Sequence, residues 1–171
     1  GACRSRTGGC AGLMSGTGAL LAVENLQVQF ATPRGTVRAV QGVSWDVSAG
    51  ETLALVGESG CGKSVSALAV MRLLAPTAQV SGRILFDGRD LLALPDAEMR
   101  KIRGRDIAMV FQDPMSSLNP VLDIAYQMAE PLRIHLGMNA DAARERSIEL
   151  LQRVGIPDAA RRLNQYPHQF S

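Results

Sequence analysis

Leu26, Val28 and Phe30 alternate with Gln27 and Gln29, and Val43, Trp45 and Val47 alternate with Ser44 and Asp46. A period of two sets one face of each segment on a core and the other in water, which predicts two half-buried strands. Thr32-Pro33-Arg34-Gly35 between them carries turn residues, so an antiparallel pair is the economical arrangement. Two other segments lack alternation. Glu51 to Val56 holds the continuous run Leu53, Ala54, Leu55 and Val56, and Ile107 to Phe111 is a second such run. Both fit strands covered on two faces in a parallel sheet. After the second, Gln112-Asp113-Pro114 must leave the strand, because proline removes a ladder donor.

Helical spacing appears elsewhere. Val65, Leu68, Ala69, Met71, Arg72 and Leu73 recur at helical intervals before Pro76. Ile84 to Phe86 with Asp87-Gly88 reads as a strand and tight turn, and Asp96 to Arg103 before Gly104 as a short helix with a glycine C-cap. Helices are also expected over Asp123 to Leu136 and over Asn139 to Val154, the latter with Asn139 as N-cap and Gly155 at its end. The chain is therefore expected to be α/β: a parallel sheet, an antiparallel β subdomain near the N-terminus, and a helical subdomain from about Met115 onward. Domain boundaries follow as residues 1–19, 20–114 and 115–171.

Composition narrows the class. The 171 residues are 46% hydrophobic and 20% charged, as in a soluble globular domain. A net charge of +2 with the signs interspersed gives no electrostatic case for nucleic acid or a membrane surface. No run approaches the roughly 18 apolar residues of a spanning helix, so no direct membrane insertion is expected. Cys3, Cys10 and Cys61 form no C-x-x-C pair, which fits a reducing compartment better than a disulfide or zinc scaffold. His135 and His168 are far apart and receive no role. Gly1 to Gly18 is rich in Gly, Ser and Thr and is expected to be flexible. Arg4 and Arg6 ahead of Leu13 to Ala22 faintly resemble a signal peptide, but Ser15 to Gly18 interrupt the apolar stretch.

The segment that carries chemistry is Gly57-Glu58-Ser59-Gly60-Cys61-Gly62-Lys63-Ser64. It matches G-x-x-x-x-G-K-[ST], in which glycines let the backbone approach a polyphosphate and amide groups cradle its oxygens. An apolar run precedes it and a helical pattern follows, as the motif requires. The helix start adds unpaired amides and a positive dipole end. Lys63 would bring a movable charge to the β- and γ-phosphates, and the Ser64 hydroxyl would reach Mg²⁺. Cys61 occupies an unspecified position in the motif, where a redox role is a secondary reading.

With that loop in place, other segments resemble the ATPase subunits of ABC transporters, in particular those of oligopeptide and dipeptide importers. Ala39-Val40 through Val43-Ser44-Trp45 and Gly50-Glu51 resemble the lead-in to the loop. Met109-Val110-Phe111-Gln112-Asp113-Pro114-Met115-Ser116-Ser117-Leu118-Asn119-Pro120 resembles the Q-loop region nearly word for word. The resemblance runs from about Leu20 to the last residue. It implies ATP and Mg²⁺ as ligands, with Gln112 touching Mg²⁺ and the attacking water, and Phe30 where an aromatic stacks on adenine. Phe30 on an alternating strand also fits a core-facing aromatic. Tyr166-Pro167-His168-Gln169-Phe170-Ser171 resembles the lead into the signature motif, with Phe170 where leucine is usual, so the domain is expected to be incomplete at the C-terminus.

The implied partners are transmembrane permease subunits and a second ATPase subunit, at the cytoplasmic face of the membrane. No catalytic residue is assigned: the neutral amide of Gln112 cannot accept a proton, and Asp113 is better read as a turn cap than as a base. These residues are expected to bind nucleotide better than they turn it over. A P-loop kinase or GTPase is the alternative enzyme class, though the N-K-x-D base-reading element of a GTPase is missing. A non-enzymatic module that binds nucleotide weakly is the other alternative.

Overall fold

The computed structural model describes residues 18–33, 35–113 and 117–170. The flexible segment expected before Gly18, Arg34 in the turn, Pro114 to Ser116 at the expected subdomain boundary, and Ser171 lie outside the described residues. The chain divides into two compact units, one ending at Met99 and one beginning at Arg100.

The first unit is built on a four-stranded antiparallel sheet in the order β2-β1-β3-β4. Its strands are β1 (Ala19–Thr32), β2 (Gly35–Ser48), β3 (Ala78–Phe86) and β4 (Arg89–Asp90). The β1–β2 hairpin is the antiparallel pair that the alternation predicts, closing at Thr32 opposite Gly35. The tight turn before β4 uses Asp87 and Gly88, both at positive φ (47° and 73°), which suits the right-handed twist of the flanking strands. Val23, Leu26, Val28, Val40 and Ile84 supply the buried side chains of the sheet. Helix α1 (Lys63–Val70) packs on β1 and β2 and contributes Ala69 and Val70.

Burial along β1 slips phase. Val23 and Leu26 are both buried although three residues apart, because the register shifts between them. Asn25 takes φ 46° in this bulge, and its amide donates to Ser44 Oγ at 2.8 Å. Opposite lies Gly82, where an added Cβ would sit 2.5 Å from the Asn25 carbonyl oxygen. Only glycine fits there.

The two apolar runs expected as central parallel strands differ from expectation. No strand is formed between Ser48 and Lys63, and Ile107 makes an isolated parallel bridge to Arg103 with no strand after it among the described residues. Leu53, Leu55 and Phe111 are exposed, Val56 is 79% exposed and Val110 94%. The composition of these runs is that of covered strands, but a parallel strand exists only through its neighbours, and no ladder among the described residues includes either run.

After α2 (Asp96–Ile102) come α3 (Ile124–Leu136), α4 (Ala140–Arg153), α5 (Ala159–Arg162) and a 3₁₀ turn (Pro167–Gln169). Asn139 caps α4 as its sequence predicts, accepting from the Ala142 amide at 2.9 Å. Asp123 caps α3 by accepting from the Tyr126 amide at 2.7 Å. The Ile124 and Ala125 amides are taken up by the carbonyls of Gln165 and Leu163, at 2.9 and 2.8 Å. Those bonds tie the start of α3 to the α5 segment over a core of Ile124, Leu151, Ala159 and Leu163, flanked by Met128, Ile148, Ile156 and Phe170. Among the described residues no helix is long and apolar enough to cross a membrane.

Candidate functional site

The loop from Gly57 to Gly62 leads directly into α1, whose first residue is Lys63. Gly60 and Gly62 both take positive φ, 81° and 93°, in the region L side chains avoid. A Cβ on Gly62 would lie 2.6 Å from the Ala39 carbonyl oxygen of β2 and 3.1 Å from Val40 Cγ2. The end of the loop is therefore pressed against the hairpin, and glycine is required there by space as well as by φ. Gly60 meets no atom within 4 Å of such a Cβ, so its requirement is conformational.

Lys63 folds back over the loop it follows. Its Nζ donates to the Gly57 carbonyl at 2.6 Å and to the Glu58 carbonyl at 2.8 Å, and lies 3.5 Å from Cys61 Sγ. The Cys61 amide donates to the Glu58 carbonyl at 3.3 Å and closes the tip. Ser66 fixes the other side, with its amide (2.8 Å) and hydroxyl (2.9 Å) both donating to the Gly62 carbonyl. Ammonium, loop carbonyls and helix start are thus one local unit. Glu58, Ser59, Gly60 and Ser64 are exposed. The first turn of α1 carries no acidic side chain and Gly62 offers no side-chain cap. The positive end of the helix dipole is thus not offset by an acidic side chain in its own first turn, which suits an incoming anion.

A loop with a glycine cradle against β2, a tethered ammonium at its mouth and an exposed hydroxyl one residue later fits a polyphosphate with its divalent cation. The other candidate residues lie apart in sequence. Phe30 stands near the end of β1, opposite Val37 and Ala78, and is half-buried rather than part of the buried core. Gln112 is exposed in the second unit. Of the carboxylates considered there, Asp123 is engaged as the cap of α3.

Sequence reasoning missed several supports. Arg72, with φ 50°, donates to the Leu91 carbonyl at 3.3 Å and the Leu94 carbonyl at 2.5 Å and pairs with Asp96 at 2.8 Å. That clamp ends α1 earlier than Pro76 would. Gln127 holds the segment ahead of α3, accepting from the Asn119 amide at 2.8 Å and donating to the Leu122 carbonyl at 2.9 Å. Neither had a local sequence signal, because each bond spans residues whose proximity only the fold creates.

The sequence profile of the ABC transporter family matches residues 40–171. A dipeptide transport ATP-binding protein, DppD of Bacillus subtilis, is 56% identical over 154 residues, which are 89% of this chain and 46% of that protein. An oligopeptide transport ATP-binding protein, OppD of Haemophilus influenzae, is 47% identical over 152 residues, 89% of this chain and 47% of its own. The chain thus spans about half the length of the curated relatives it matches. Among solved structures, the ATP-binding cassette MJ0796 in a dimeric post-hydrolysis state bound to ADP and Pi superposes with a TM-score of 0.72 at 25% identity, covering 88% of this chain and 63% of that one.

Proposed function

The chain belongs to the ABC transporter family, and on that premise we propose that Gly57 to Ser64 bind ATP with Mg²⁺ in a protein that powers the import of peptides. The observation that carries this reading is the Lys63 ammonium held across the Gly57 and Glu58 carbonyls beside a helix start whose first turn carries no acidic side chain. Glu58, Ser59, Gly60, Cys61 and Gly62 supply backbone to the phosphates, Lys63 supplies charge, and Ser64 and Gln112 supply oxygen ligands to the metal. Phe30 stacks on the base; its half-buried position leaves part of the ring available. The cation, when bound, screens phosphate charge and orients its oxygens. Peptide import rests on the likeness to the dipeptide and oligopeptide transport proteins of B. subtilis and H. influenzae.

The partners proposed are transmembrane permease subunits, docking around Gln112 to Tyr126, and a second ATPase subunit. The protein would then work at the cytoplasmic face of the membrane, and residues 20–114 and 115–171 would be its nucleotide-binding and helical parts. Replacing Lys63 by alanine removes a charge-assisted phosphate contact and is expected to weaken Mg-ATP binding at least about tenfold. Equal affinity in the Lys63→Ala protein, measured by calorimetry, rejects the site. Cross-links to a permease confined to Leu26 to Trp45 reject the docking face.

A further inference from the structure

Four of the six residues from Arg100 to Arg105 are cationic: Arg100, Lys101, Arg103 and Arg105. Helix α2 ends at Ile102, and the chain then turns through Gly104 at φ 83°, with the Gly104 amide donating to the Ile107 carbonyl at 2.8 Å. This turn lays the basic segment against the last turn of α3, close enough that a Cβ on Gly104 would lie 3.1 Å from His135 Nε2. A cleft of about 170 Å³ results, lined by Arg100, Lys101, Arg105, Ile134 and His135. Among the described residues no carboxylate lines it.

Helix ends account for part of this charge. Arg100 and Lys101 lie in the last turn of α2, where cations complement the dipole, and His135 lies in the last turn of α3. That effect is local to each helix end. It does not explain why both ends converge on one cavity, nor Arg105, which belongs to neither helix. Arg105 pairs with Asp106 at 3.6 Å, an exposed pair that contributes little.

We infer that this cleft is an anion site for a phosphate-type group. Two guanidinium groups can each offer paired N–H donors to such a group, the Lys101 ammonium adds a compact charge, and the imidazole of His135 supplies a further ring nitrogen. A dianion with several acceptor oxygens engages more of these donors than a carboxylate does. The phosphate comes either from a free soluble anion or from a lipid headgroup at the membrane surface, since both present the same chemistry.

The test uses the full-length protein carrying Lys63→Ala, so that phosphate affinity of the glycine loop is reduced. Inorganic phosphate is titrated calorimetrically, and flotation is measured with vesicles of phosphatidylcholine alone and with phosphatidylglycerol added. Saturable phosphate binding is expected, weakened at least about tenfold by Arg100→Gln with Arg105→Gln, an exposed pair whose neutralisation leaves the circular dichroism unchanged. Flotation confined to the acidic vesicles and lost in that variant assigns the lipid source, whereas phosphate binding without flotation assigns the soluble one. Unaltered phosphate affinity in the double variant overturns the site, as does the absence of both saturable binding and acid-dependent flotation. With Lys63 intact, the double variant is expected to bind Mg-ATP normally, so that failure here leaves the nucleotide reading untouched.

Discussion

Replacing Gly62 by alanine probes the contact between the phosphate loop and the β hairpin, and Gly60→Ala is its natural control. Both positions hold positive φ, and forcing an L side chain into that region costs about 1–2 kcal/mol. For Gly60 the cost ends there, since nothing lies within 4 Å of the added methyl. For Gly62 the methyl would stand 2.6 Å from the Ala39 carbonyl oxygen and 3.1 Å from Val40 Cγ2, and the nearer atom is backbone in a paired strand. The loop must move away, at an overpacking cost of about 1–3 kcal/mol. The Gly62→Ala variant is therefore expected to lose about 3 kcal/mol in all, a fall in Tm of about 10 °C, and Gly60→Ala roughly half as much or less. Thermal melts followed by circular dichroism, with Mg-ATP titrations on the same samples, measure both effects. Equal Tm losses in the two variants would refute the steric argument, and undiminished ATP affinity in Gly62→Ala would show that the loop tolerates the shift.

Other consequences are independent of the loop. Arg72→Ala removes the bonds to the Leu91 and Leu94 carbonyls and to Asp96, and is expected to cost about 1–3 kcal/mol in a urea titration; a loss under about 0.5 kcal/mol would mean that the clamp is incidental. Asp123→Ala and Asn139→Ala each delete an N-cap bond and should cost about 1 kcal/mol, with Asp123→Asn and Asn139→Asp nearly neutral. The hydrogen bond from Arg146 holds the Glu149 carboxyl below the usual glutamate range. A depressed folded value means that the pair stabilises above the unfolded glutamate pKa and that its contribution is lost as pH falls through the folded value. A carbon-detected titration should therefore find Glu149 below the ordinary glutamate range, and Arg146→Gln should move it upward.

Local signals were legible where they coincided with local causes. The hairpin followed from alternation at Leu26, Val28, Val43 and Val47, and the α4 cap from one asparagine ahead of a periodic run. The bulge at Asn25 was not legible, because it takes a glycine at position 82 and a hydroxyl at position 44 to form it. The early end of α1 was hidden for the same reason: Arg72 leaves the helix to reach carbonyls 19 and 22 residues away. Likewise Asp96 to Arg103 reads from sequence only as a short helix capped at Gly104, and it takes the turn there to bring its basic end beside His135.

Leu53 to Val56 and Ile107 to Phe111 raise a different question, since the loop keeps its shape although no strand forms immediately before it. In an open parallel sheet the strand ahead of such a loop would be expected to aim it. Here three other constraints hold it: Lys63 bridges the Gly57 and Glu58 carbonyls, Ser66 binds the Gly62 carbonyl twice, and the Ala39 carbonyl packs against Gly62. Two of these lie within ten residues of one another, in the motif and the two residues that follow it. The third comes from β2, whose ladder with β1 is complete without any parallel strand. Residues in and just after the motif therefore specify most of the loop's shape, while the apolar runs specify a sheet that depends on neighbouring strands. Recognition of the site from sequence succeeds because its geometry is mostly short-range, and assignment of the central strands outruns the structure because pairing is not.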